Sequence, residues 1–104
     1  MFNPWLTKLL TANSCPKLAA KVRLRFDRHS GQYLLIFPER GIQLDATAAE
    51  IVKLCDGVRS IATIAQELAQ RYAQDVTQIE KDVLELLQSL HDRCVVEDAD
   101  RGKL

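Results

Sequence analysis

The strongest constraint in this sequence is a change of hydrophobic period at Leu44. Before it, Val22, Leu24 and Phe26 alternate with Arg23, Arg25 and Asp27. A period of two is that of a half-buried strand. After it, apolar residues recur every three or four positions, which is the helical period. A chain of 104 residues that switches in this way is expected to form one α+β domain, strands first and helices last.

Turn and cap signals divide the two halves. Ser30-Gly31 marks a reversal within Arg28–Gln32, and Tyr33-Leu34-Leu35-Ile36-Phe37 reads as a second, more buried strand. Pro38-Glu39-Arg40-Gly41 reverses the chain again, and Ile42-Gln43-Leu44 is a very short third strand. Thr47-Ala48-Ala49-Glu50 fits a capping box for the first helix, with Asp45 as the alternative N-cap. Its inward stripe is Ile51, Leu54 and Cys55, and Asp56-Gly57 ends it. Ser60 caps a second helix with Ile61, Ile64, Ala65, Leu68 and Tyr72 inward. Asp75 or Thr77 opens a third, with Ile79, Val83, Leu86, Leu87 and Leu90 inward. Cys94-Val95-Val96 is a final strand or an extended anchor. The expected architecture is winged-helix-like: three short N-terminal β-strands followed by a three-helix bundle. An amphipathic arm and linker (1–15) precede the domain (16–97), and a flexible tail (98–104) follows it.

Winged helices are normally associated with DNA, but the charges oppose that use here. Fourteen Lys and Arg balance fourteen Asp and Glu. The third helix would be the one to enter a major groove, and it carries Asp75, Glu80, Asp82, Glu85 and Asp92 against Lys81 alone. Such a surface repels phosphate. Nucleic acid is therefore not an expected partner. Nor is a membrane, because no apolar run is long enough to span one.

Reactive constellations are also missing from the sequence. There is no Ser/His/Asp or Cys/His set, no Gly-rich phosphate loop and no H-E-x-x-H. Cys15, Cys55 and Cys94 are odd in number and widely spaced, which indicates neither a disulfide framework nor a zinc site. Cys55 and Cys94 are expected in the core or at its edge. A non-catalytic, cofactor-free protein of the reducing cytoplasm is the expectation.

Two features remain for binding. Asn3 and Pro4 start a short helix whose Trp5, Leu6, Leu9 and Leu10 share a face. Such an arm covers something, either its own domain or another chain, and a homodimer contact is expected. On the third helix, Leu84 lies off the inward arc, on the same side as Glu80 and His91. It reads either as a single exposed leucine or as one wall of a groove. The opposite wall would be the third strand, Ile42–Leu44. As an edge it would accept a peptide as a further strand, with backbone bonds for affinity and side-chain pockets for selectivity.

Several segments resemble one family. They are Val22-Arg23-Leu24-Arg25-Phe26-Asp27, Leu34-Leu35, Pro38-Glu39-Arg40, Leu44-Asp45-x-Thr47-Ala48, Leu54-Cys55-Asp56-Gly57, Asp82-Val83 and Leu86-Leu87-x-x-Leu90. From about Pro16 to Val96 the chain is similar to the D proteins of pyrroloquinoline quinone (PQQ) biosynthesis. Asp45 stands where the family commonly has Asn, and the arm lies outside the match. The resemblance implies a peptide chaperone that binds the ribosomal precursor peptide and presents it to a radical-SAM enzyme. It also implies that the peptide lies between the third strand and the third helix. Carried over by position, the peptide-binding residues are Ile42, Gln43 and Leu44 on the strand, and Glu80, Val83, Leu84, Leu87 and His91 on the helix. The alternative within the same fold is a leader-peptide domain of another modified-peptide pathway.

Overall fold

The computed structural model describes residues 9–37 and 40–99. Residues 1–8, Pro38, Glu39 and 100–104 lie outside the described residues, and with them much of the expected arm, part of the expected turn and most of the expected tail. The element order is β1 (Pro16–Leu18), β2 (Arg23–Asp27), β3 (Gln32–Phe37), β4 (Arg40–Leu44), α1 (Ala46–Lys53), α2 (Ile61–Tyr72), α3 (Val76–Asp92) and β5 (Val96–Asp98).

The strand–helix switch falls at Leu44, as the period change requires. The three expected strands are β2, β3 and β4, an antiparallel sheet in the order β2-β3-β4. Its turn is built locally. The Asp27 carboxylate accepts the His29 and Ser30 N–H groups, and the Gly31 N–H donates to the Asp27 carbonyl at 2.8 Å. Gly31 has φ +73°, which suits a residue without Cβ.

Among the described residues, five strands in two sheets replace the expected three N-terminal strands and final strand or anchor. β1 pairs antiparallel with β5, joining Pro16 to Asp98 and Leu18 to Val96. Three-residue strands leave no readable alternation, and distant pairing rather than local pattern makes them strands. Cys94, expected in the core or at its edge, is exposed with φ +65° in the turn before β5, while Val95 and Val96 go inward.

Each helix is capped by a side chain that accepts an orphan N–H. Asp45 takes the Ala48 N–H at 2.7 Å, so Asp45 rather than Thr47 caps α1. Ser60 takes the Thr63 N–H, and Asp75 takes the Gln78 N–H. The helix α1 buries Ala48, Ala49, Ile51 and Val52 and ends at Lys53, so Leu54 is only half-buried beyond it. Two expected inward residues turn outward. Tyr72 sits at the end of α2 and Phe26 at the end of β2, and both are 51% exposed. Phe26 instead meets the Tyr33 ring edge-on, with centroids 5.2 Å apart.

One core joins all these elements. Leu35 of β3, Ile61 and Ile64 of α2, Val83 and Leu87 of α3, and Val96 of β5 are fully buried in it. The segment before β1, read above as a linker, is tied into the same body. The Ile61 N–H donates to the Ser14 carbonyl and the Ala62 N–H to the Ala12 carbonyl, both at 2.9 Å. Ala12 and Ser14 thus serve the open N-terminus of α2. Packing extends upstream to Leu10, which is buried.

Candidate functional site

β4 is an edge of its sheet. It pairs with β3 through Tyr33 to Leu44, Leu34 to Gln43 and Leu35 to Ile42, and among the described residues no strand pairs with its other side. Alternate N–H and C=O groups of an antiparallel edge strand point away from its neighbour, and these can accept a further strand. The alternation along β4 follows the sheet's faces. Leu44 is buried and Ile42 half-buried against the core. Gln43 faces the opposite way, is exposed, and donates its side-chain amide to Gln32 across the sheet.

The helix α3 supplies the other named residues. Val83 and Leu87 are completely buried and lie in the same core as Leu44. Leu84 and Ile42 are both partly exposed and both pack against that core. Glu80 and His91 are half-buried, with His91 in the last turn of the helix. The strand and helix residues are thus joined beneath the surface by shared core, while Gln43, Glu80 and His91 stand outside it.

Cavities border these elements rather than filling one closed pocket. One of about 400 Å³ lies among α1, α2 and α3, with Ile51, Leu68, Ile79 and Val83 as apolar lining. Thr47, Glu50, Tyr72 and Asp82 give it polar atoms. Glu50 accepts from Arg71 at 2.9 Å, and Asp82 accepts the Gln78 amide at 3.0 Å. Sequence reasoning missed this cleft. Its signal is Tyr72 near the end of α2 and Ile79 near the start of α3, which both line it although both fit the inward stripes of their helices. A smaller cavity of about 300 Å³ lies where β4 enters α1, against Tyr33, Leu44, Ala46 and Lys53. Lys53 stands over the Tyr33 ring, 4.2 Å from its centroid, a cation–π contact. The Tyr33 hydroxyl helps to hold that ammonium above its ordinary pKa.

Cys55 is buried, donates to the Ile51 carbonyl, and has its thiol pushed up to about 12 by burial. A thiol held protonated is a poor nucleophile. Among the described residues there is no group of three or more His, Cys, Asp or Glu side chains placed to hold a metal ion. No described helix is long and apolar enough to cross a membrane.

A strand edge open among the described residues, over one core shared with three helices, defines a small α+β domain. The protein-family model for coenzyme PQQ synthesis protein D, PqqD, matches residues 32–96. The chain belongs to the PqqD family. A relative from Xanthomonas euvesicatoria pv. vesicatoria, named PqqA binding protein, is 46% identical over 84 residues, covering 81% of this chain and 91% of that one. Among solved structures, the chain is similar to the PqqD truncation of Methylobacterium extorquens PqqCD. That protein is described as a functional, stand-alone recognition element for ribosomally synthesized and post-translationally modified peptides. The TM-score is 0.76 at 39% identity, covering 85% of this chain and 94% of that one. It is also similar to lasso peptide synthetase B1 complexed with the leader peptide, with a TM-score of 0.67 at 29% identity over 81% and 99% of the two chains.

Proposed function

We propose that this protein is a peptide chaperone of PQQ biosynthesis that takes up the precursor peptide PqqA as an added strand on β4. The observation that carries this reading is the open edge of β4 over a core it shares with α3. Ile42, Gln43 and Leu44 offer the strand. Leu84 offers an apolar wall, Val83 and Leu87 the buried support beneath it, and Glu80 and His91 polar contacts at the two ends. Such binding works through backbone bonds and pockets and needs no acid, base, metal or cofactor. The protein is read as non-catalytic.

The finer parts of the proposal follow from this role. The peptide is presented to a radical-SAM enzyme (PqqE), and its gain there is a raised local concentration. The protein acts in the cytoplasm. The domain over residues 16–97, with its winged-helix-like order, is the recognition unit, and a homodimer formed through the arm is a further partner state. The likeness to a lasso peptide synthetase favours a second reading, in which the leader peptide comes from another modification pathway.

The test is a chemical-shift titration with synthetic PqqA and with leader peptides of other pathways. Shifts clustered at 42–44 and 80–91 on adding PqqA support the proposal. Shifts confined to the cleft among α1, α2 and α3 overturn the site, and binding only by another leader supports the second reading. Backbone amides of β4 are expected to gain protection from hydrogen exchange when the peptide is bound.

A further inference from the structure

The cleft among α1, α2 and α3 has a charge pattern that strand addition on β4 does not use. Among the described residues, two carboxylates and no Lys, Arg or His line its 400 Å³. The two carboxylates differ. Glu50 is already held, by Arg71 at 2.9 Å and by Lys53 at 3.7 Å. Asp82 is exposed, accepts the Gln78 amide, and has no ion pair among the described residues. The half-exposed Tyr72 lines the same cleft, over an apolar floor of Ile51, Leu68, Ile79 and Val83. The volume is within the roughly 300–1,000 Å³ of clefts that hold small ligands.

We infer that this cleft is a pocket for one basic side chain, Lys or Arg, of the bound precursor peptide. Its stem lies on the apolar floor, and its cation meets Asp82 and the Tyr72 ring. The inference rests on the reading of β4 as the edge that takes up the peptide. Continuity with that edge is the first support. Ala46 and Thr47 line the cleft and follow directly on Leu44 and Asp45, and Val83 lines it as well as lying in the core shared with Leu44. A peptide strand laid along β4 thus comes to the cleft where β4 enters α1. Charge complementarity chooses the occupant. A peptide Asp or Glu would bring a third carboxylate beside Glu50 and Asp82. A Leu or Phe would cover the floor but take water from Asp82 without replacing its hydrogen bonds. A Lys or Arg covers the floor with its methylenes and keeps its charge at the rim. There the carboxylate and the ring face both attract it.

The test is a double-mutant cycle across the interface, read by calorimetric titration of the full chain. Each Lys and Arg of synthetic PqqA is replaced in turn by norleucine, which keeps a stem and removes the charge. Each peptide is titrated against the parent protein and against Asp82→Asn, which keeps an acceptor for the Gln78 amide. At one peptide position, norleucine is expected to weaken binding to the parent at least about threefold and to leave binding to Asp82→Asn almost unchanged. The Tyr72 ring protons are expected to show nuclear Overhauser contacts to the stem of that same side chain. Additive effects at every position overturn the pocket, as do ring contacts to an acidic or apolar side chain instead. If PqqA binds with shifts at 42–44 and no basic position couples to Asp82, the pocket alone fails. If PqqA does not bind the parent, or binds away from β4, the strand reading fails and the pocket with it.

Discussion

The two sheets use the same kind of backbone differently. β1 and β5 close on each other, and their neighbours complete the clasp. The Ala19 N–H donates to Val95, the Ala99 N–H to Cys15, and the Gly57 N–H to Pro16, each within 2.9 Å. Lys17 also bridges Asp56. Pro16 and Val96 are fully buried there. In the three-stranded sheet, β4 keeps one side unpaired among the described residues, and its Gln43 faces solvent. The clasp joins the start, middle and end of the chain and spends its hydrogen bonds on holding them. The open edge keeps some in reserve. Substitutions in the first should therefore cost stability, and substitutions near the second should cost binding.

The largest effect expected is at Val96. Val96→Asp buries an unpaired carboxylate in the clasp and should cost roughly 4 kcal/mol or more, much of what a small domain has. Urea denaturation would show a lost or much earlier cooperative transition, and a transition like that of the parent would break the comparison. Next comes Leu84→Asp on the other side of it. Peptide affinity should fall at least about tenfold, or ~1.4 kcal/mol of binding. The circular dichroism should be unchanged, and calorimetric titration beside a thermal melt separates the two effects.

Smaller effects sharpen the picture of the clasp. Gly57 has φ +81°, and a Cβ there would meet the Lys17 side chain at 3.2 Å. Gly57→Ala should cost about 1–2 kcal/mol from the left-handed conformation, readable as a lowered melting temperature with peptide affinity unchanged. The smallest effect is one of pH. The Asp56 carboxylate accepts the Arg59 and Val58 N–H groups, which hold its pKa below the ordinary 3.8. A depressed carboxylate contributes stability above its unfolded pKa and loses it as pH falls through the folded value. Asp56→Ala should therefore lower stability at neutral pH and flatten its loss as pH falls below the ordinary 3.8. Parallel acid-denaturation curves for the two proteins would refute that role.

Much of the fold was legible because it is local. The alternation at Val22–Asp27, the caps at Ser60 and Asp75, and the stripe of Val83, Leu87 and Leu90 all depend on residues within a turn or two of one another. The errors share a cause. Tyr72 and Phe26 fit their stripes by angle, but both lie at the ends of their elements, where the core no longer reaches them. Asp45 and Thr47 were equally good caps on paper, and the entry of β4 into α1 decided for Asp45. The candidate strand residues and Leu84 were named from an edge and an off-arc leucine. The cleft among α1, α2 and α3 was not, because its walls come from three separate helices.

By itself, then, the sequence determined the order of strands and helices, the helix caps and the apolar faces. These follow from backbone geometry and side-chain periodicity over a few residues. It also carried the family resemblance. Only the tertiary structure decided that Pro16–Leu18 and Val96–Asp98 are strands paired with each other, and that Leu10 is anchored on α3. Each of those depends on which distant segments meet, and that is settled by burying one common core rather than by any local pattern.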